Sequence, residues 1–286
     1  MNRKTIKQIG LVAVASLLGN FSVTAAESES QQKIISVGYA ITELVYALDA
    51  QDQLVGVDVT SITEGDEIPK VGYHRALSAE GLLALQPDRL IGSEVMGPKS
   101  TLDQLQRAGI DIQITNEEPT VAGLKERIEQ IAKLVSREDK VAELHHQVND
   151  KVTALEANQP KATEAKKVLF LLIHEGRPAN VAGLNTIPDG IIKLAGGINT
   201  ADSVESYKPL SNEAMIAMQP DVILVSGRSY QTLGGVDGVL KALPSLAATP
   251  AGQNKQILTV DGHAIVGGLG LRSLSEAARI NELLYP

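Results

Sequence analysis

Cysteine is absent from the 286 residues. No disulfide framework or thiolate metal site is available, so stability must come from an ordinary apolar core. Tryptophan is missing too, and aromatic residues make up only 3% of the chain, which excludes a sugar platform built on stacked indoles. Positive charge is scarce: the formal net charge is −8 and becomes −11 without Arg3, Lys4 and Lys7. Nucleic acid and anionic membrane surfaces are poor partners for such a chain. Catalytic signatures are lacking as well. There is no Gly-x-Ser-x-Gly elbow, phosphate loop or His-Glu-x-x-His, and no enzyme is expected. The histidines include no i, i+4 pair, and adjacent His145 and His146 would diverge by about 100° on a helix. A zinc or manganese site is not expected.

Long apolar runs are confined to residues 9–21, with the three cations before them and Val23-Thr24-Ala25-Ala26 after. That order is a secretory signal, and the run is too short to span a hydrocarbon core of roughly 30 Å. Residues 1–26 should be removed near Ala25 or Ala26. With no cysteine for lipoprotein acylation, the processed chain is expected to be free in the periplasm of a Gram-negative bacterium, a monomer without stable membrane insertion.

What is present is alternation. Strand-like runs at residues 33–38, 54–57, 89–92 and 111–114 are separated by helical patterns at 41–48, 78–85 and 100–108, which describes an α/β layer. Apolar residues from Val121 to Leu155 keep helical spacing. Ser136-Arg137-Glu138-Asp139 has the form of an N-cap with an acid three residues on, dividing the region into a helix ending near Val135 and a second of roughly 33 Å. A strand at 168–173 opens another α/β half, which closes on a helix at 273–284.

The halves share an internal echo. Residues 77–88, Leu-Ser-Ala-Glu-Gly-Leu-Leu-Ala-Leu-Gln-Pro-Asp, recur at an offset of 133 as residues 210–221, Leu-Ser-Asn-Glu-Ala-Met-Ile-Ala-Met-Gln-Pro-Asp. Each copy then enters a strand. We expect a signal peptide at 1–26, an N-terminal α/β lobe at 27–136, a linker helix at 137–158 and a C-terminal α/β lobe at 159–286.

On these features, together with the opening Val37-Gly38 strand, the sequence resembles the helix-linked class of periplasmic substrate-binding proteins that serve iron chelates, haem and cobalamin in ABC import. The resemblance covers the whole processed chain. It implies two Rossmann-like lobes joined by a long α-helix, a ligand held in the cleft between them, and an ABC permease and ATPase complex in the inner membrane as partner. Glu80 and Glu213 occupy the same repeat position near helix starts, where carboxylates are favoured; the resemblance makes them the acids that dock on the permease.

Ahead of the first repeat lies Val71-Gly72-Tyr73-His74-Arg75. This stretch is similar to the haem-specific branch, which implies Tyr73 as axial ligand of ferric iron and Arg75 as its support. The chemistry agrees: a phenol, with a pKa of about 10, is a poor ligand near neutrality, but phenolate is a hard oxygen donor for Fe(III) and a guanidinium stabilises it. In an extended loop Tyr73 and Arg75 would project together while His74 points elsewhere. At the offset of 133, Ser206 stands opposite Tyr73 and Tyr207 opposite His74, so the second half has no copied ligand. His174 follows the strand at 168–173 and is a candidate second ligand, for one haem or for a second, stacked haem. Candidate cleft contacts are Tyr39, Met96, Arg228, Tyr230 and Arg272, with Arg228 suited to a propionate. A ferric siderophore or cobalamin is the alternative cargo.

Overall fold

Aliphatic runs cut short by glycine and aspartate set the strands of the computed structural model, which describes residues 31–65, 67–173 and 178–286. The expected signal peptide lies outside the described residues. Gln32–Pro286 form one compact unit. Its first half runs β1 (Ile34–Ser36), α1 (Tyr39–Ala47), β2 (Leu54–Val57), β3 (Gly72–Tyr73), β4 (Ala76–Leu77), α2 (Ala79–Leu83), β5 (Arg89–Ser93), α3 (Lys99–Arg107) and β6 (Asp111–Thr115). Two helices follow, α4 (Val121–Leu134) and α5 (Val141–Ala157). The second half opens with β7 (Lys167–Leu172), β8 (Asn180–Ala182), α6 (Ile187–Leu194), β9 (Ile198–Asn199), β10 (Tyr207–Pro209) and α7 (Asn212–Ala217). It continues through β11 (Val222–Ser226), α8 (Gly227–Leu233), α9 (Gly235–Ala242), α10 (Pro250–Gln253), β12 (Ile257–Val260) and α11 (Leu271–Leu284).

Each half builds its own sheet. The first is parallel throughout, in the order β2-β1-β5-β6. The second has the order β10-β8-β7-β11-β12, with β9 also on β7, and β8 runs antiparallel to both its neighbours. Side chains alternate across each sheet as the pleat requires. Ile34 and Ile91 of the first sheet and Val168, Phe170 and Leu224 of the second join one cluster that also takes Leu124, Ile128, Leu144, Val148, Ile191 and Ile280 from α4, α5, α6 and α11. The opposite faces have separate cores, one around Ile35, Val37 and Leu90 and the other around Leu169, Leu171, Ile223 and Val225. One helical layer is thus shared by both halves. No helix among the described residues is long and apolar enough to cross a membrane.

The break between α4 and α5 falls where the periodicity placed it, but the expected Ser136 cap does not form. Ser136 takes φ 56° just past the end of α4, and the Arg137 N–H donates to the Ala132 carbonyl at 2.8 Å. That is a Schellman closure of α4, so Ser136 ends one helix instead of starting the next. The linker helix α5 is correspondingly shorter than expected, 17 residues or about 26 Å.

The repeat is structural as well as textual. Ser78 and Ser211 cap α2 and α7 by accepting the N–H of Gly81 and Ala214. Leu82 and Met215, at equivalent positions, are both buried. Gln86 and Gln219 both adopt positive φ, 48° and 44°. Asp88 then accepts the Lys33 N–H at 2.8 Å, and Asp221 accepts the Lys167 N–H at 2.8 Å, so in each copy the aspartate clamps the start of the central strand.

Candidate ligand-binding site

The stretch expected to be an extended loop folds as a hairpin. Gly72 and Tyr73 pair with Leu77 and Ala76, leaving His74 and Arg75 as a two-residue turn. Alternation of side chains therefore does not apply across Tyr73 and Arg75. The hairpin is anchored on both flanks: the Val59 N–H donates to Gly72 O at 2.9 Å, the Gly97 N–H to His74 O at 2.9 Å, and the Leu77 N–H to Gly97 O at 2.8 Å. Tyr73 is 46% exposed and the neighbouring Val59 53%. Large apolar side chains left uncovered beside one another mark a surface that takes a partner.

Arg75, exposed at the hairpin turn, lies within electrostatic reach of Tyr207 on β10. Burial pushes the Tyr207 hydroxyl up to about 12, while the Arg75 guanidinium acts in the opposite sense and Glu117 adds to the rise. The hairpin turn and β10 therefore sit close enough for their charges to be felt.

Beneath the hairpin lies a polar network that sequence reading missed. Asp58, fully buried, accepts the Gly38 N–H at 3.0 Å and the Ser61 hydroxyl at 2.7 Å on Oδ1, and the Thr60 N–H at 3.1 Å and hydroxyl at 2.6 Å on Oδ2. The chain of hydroxyls continues from Ser61 to Thr42 at 2.7 Å and from Thr42 to Ser36 at 2.6 Å. Burial alone would raise the Asp58 carboxyl, but His74, Thr60, Ser61 and the Gly38 N–H together hold it at about 2. His74 is itself 5% exposed, its Nδ1 3.7 Å from Asp58 Oδ2 and its ring centroid 4.0 Å from that of Tyr73. An acid directly after a strand, followed by Thr60 and Ser61, was the available signal, since such residues bond backbone and hydroxyls locally.

The two halves meet at the C-terminal ends of their strands. A Cβ on Gly38 would lie 3.2 Å from the Gly267 Cα, and the Ala40 N–H donates to Val266 O at 3.1 Å. Arg127, fully buried on α4, straps this region: Nη1 donates to Leu269 O at 2.6 Å and Nε to Asn116 O at 2.7 Å. Burial draws its guanidinium down to about 10, against the nearby Glu117, Glu118 and Glu126. Glu43 reaches from α1 to the start of α11, accepting the Arg272 N–H at 2.8 Å, so an acid of the first half caps a helix of the second. Burial pushes its carboxyl up to about 7 despite the N–H groups of Leu271 and Arg272.

The remaining candidates separate into groups. Tyr39 and Arg272 come together across the halves, with the guanidinium 5.7 Å from the ring centroid. Tyr39 is 8% exposed, and Arg272 is engaged by Asp261 at 2.5 Å. Met96, 5% exposed, packs over Gly92 in the core beneath the hairpin. Arg228 and Tyr230 lie in the first turn of α8 at the end of β11; Arg228 is exposed and Tyr230 half-buried. The Ser229 hydroxyl ties this turn to Ile173 O at 3.0 Å. His174 lies outside the described residues. Glu80 and Glu213 are both exposed, and the Glu213 carboxyl is held below its ordinary value by its own N–H and the Ser211 hydroxyl. No cluster of three or more metal-ligating side chains occurs among the described residues.

A family model for periplasmic binding proteins matches residues 34–264. The chain belongs to the periplasmic binding protein family. Among solved structures of this kind, the periplasmic haem-binding protein HutB of Vibrio cholerae is 56% identical, covering 90% of this chain and 100% of that one with a TM-score of 0.83. The periplasmic haem-binding protein BhuT in complex with two haems is 33% identical over 88% of this chain and 97% of that one, with a TM-score of 0.79. The vitamin B12-binding protein of Vibrio parahaemolyticus is 28% identical over 72% of this chain and 74% of its own length.

Proposed function

We propose that this chain is a periplasmic haem-binding protein, exported by a cleavable signal, that delivers haem to an inner-membrane ABC permease and ATPase complex. The observation that carries the reading is the exposed Tyr73 on a braced hairpin, at the strand ends where the halves meet, in a chain similar over its length to the haem-binding protein of Vibrio cholerae. Tyr73 is the proposed axial ligand of ferric iron, with Arg75 supplying the positive charge that favours phenolate. Val59, uncovered beside it, fits the apolar face of a macrocycle. Arg228, exposed at the N-terminus of α8, suits a propionate.

Purified protein titrated with hemin should give a high-spin ferric spectrum with a tyrosinate charge-transfer band that Tyr73→Ala abolishes. Saturation at two haems, falling to one in His174→Ala, would assign His174 the second iron. The similarity to the vitamin B12-binding protein of Vibrio parahaemolyticus supports cobalamin as the second reading. Cobalamin binding with no haem spectrum would replace the first by the second.

Delivery rests on Glu80 and Glu213, exposed at matching positions of the two repeats. Reversing both, Glu80→Arg with Glu213→Arg, should leave hemin affinity unchanged and abolish uptake by cells. Undiminished uptake would remove them from docking.

A further inference from the structure

Asp58 is saturated without His74. Its two oxygens already take four donors, from Gly38, Thr60 and Ser61, which is the full capacity of a carboxylate. His74 stands beyond hydrogen-bond reach at 3.7 Å, and its Nδ1 is buried without a hydrogen-bond partner. His74 helps to lower the Asp58 carboxyl from beside it but makes no hydrogen bond to it, and a buried imidazole left short of a bond calls for a role besides that acid. Its ring also lies against the Tyr73 ring, centroids 4.0 Å apart and tilted by 49°.

We infer that His74 is a positioning residue for Tyr73: wedged between the fixed Asp58 carboxylate and the phenol ring, it sets the direction in which Tyr73 presents its hydroxyl to the ligand. The inference rests on the reading of Tyr73 as iron ligand. The geometry supplies three parts of the device. The hairpin turn fixes the His74 backbone, since its carbonyl accepts the Gly97 N–H at 2.9 Å. The ring lies under cover, 5% exposed, so it cannot swing into solvent. Asp58 in turn holds the Gly38 N–H, next to the Gly38–Gly267 approach, so the direction given to Tyr73 is referenced to the second half as well as the first. Residues behind a metal ligand commonly act in this way, and losing one costs about tenfold to a hundredfold in affinity.

The test is a double-mutant cycle on hemin binding, using His74→Ala with Tyr73→Phe, read as affinity and as the position and intensity of the tyrosinate band. Positioning predicts that His74→Ala weakens hemin binding about tenfold or more and shifts the band while the ligand-free melting transition stays cooperative. In the Tyr73→Phe background the same substitution should have no further effect. An equal loss in both backgrounds overturns the inference, because His74 would then act on the pocket as a whole; so does an unchanged affinity and spectrum in His74→Ala. Hemin binding unaffected by Tyr73→Phe alone would instead bring down the ligand reading of Tyr73 and the inference with it. If the alanine variant loses its cooperative melt, His74→Phe runs the same cycle, and additivity there overturns the inference equally.

Discussion

The two halves start from one repeated unit and diverge just before it. In the first half the chain preceding the unit forms a free-standing hairpin over a buried carboxylate, with Tyr73 exposed on top. In the second half the equivalent chain is β10, absorbed antiparallel into the main sheet on β8. Ser206, opposite Tyr73, takes φ 62° and its backbone bonds Gly183 and Leu184. The lesson is that the duplicated part, helix, Gln-Pro-Asp and strand, is built alike in both halves and carries Glu80 and Glu213 at matching positions, whereas the lead-in is where the halves differ.

The sharpest way to break this contrast is Asp58→Ala. It strands the donors of Gly38, Thr60 and Ser61 in the interior and should cost about 3–5 kcal/mol in urea denaturation; a loss below about 1 kcal/mol would mean the network is decorative. Glu43 tests the seam between halves. Its carboxyl rises from 4.5 to about 7 on folding, so the folded state favours the protonated form. The stability it contributes is fully present below pH 4.5 and is lost as pH rises through about 7, a difference of about 3 kcal/mol. Glu43→Gln, which cannot ionise, should therefore gain that much over the parent at pH 8 relative to pH 4.5, and parallel pH–stability curves would contradict the shift. The smallest effect sharpens the likeness between the halves: Ser78→Ala and Ser211→Ala each remove one helix cap and should each cost about 1 kcal/mol. Clearly unequal losses would show that the copies are not energetically equivalent.

Much of the fold was legible because it is written locally. Alternating strands, the helix break near Val135 and the repeat all rest on periodicity within a dozen or so residues. The hairpin escaped because its strands are two residues each, too short for a period-2 pattern. The Ser136 cap was misread because the motif alone does not distinguish a helix start from a left-handed helix end. Beneath the site, Asp58 bonds a residue 20 positions away within its own half and Arg127 one 142 positions away in the other; such partners depend on how distant segments fold together and leave no spacing to read. Arg127 in particular looks like the polar face of an amphipathic helix, yet it is fully buried. The motif singled out Tyr73, which the structure leaves exposed on the hairpin, whereas its neighbour His74 became informative only with Asp58 in view.

The near-touch of Gly38 and Gly267 has a bearing on how the two halves can move against one another. Where two backbones approach with no side chain between them, there is no soft layer to compress or expand, and the seam works like a hinge whose pin has been locked. A single methyl at Gly38 or Gly267 would press on the facing backbone and force the seam to shift.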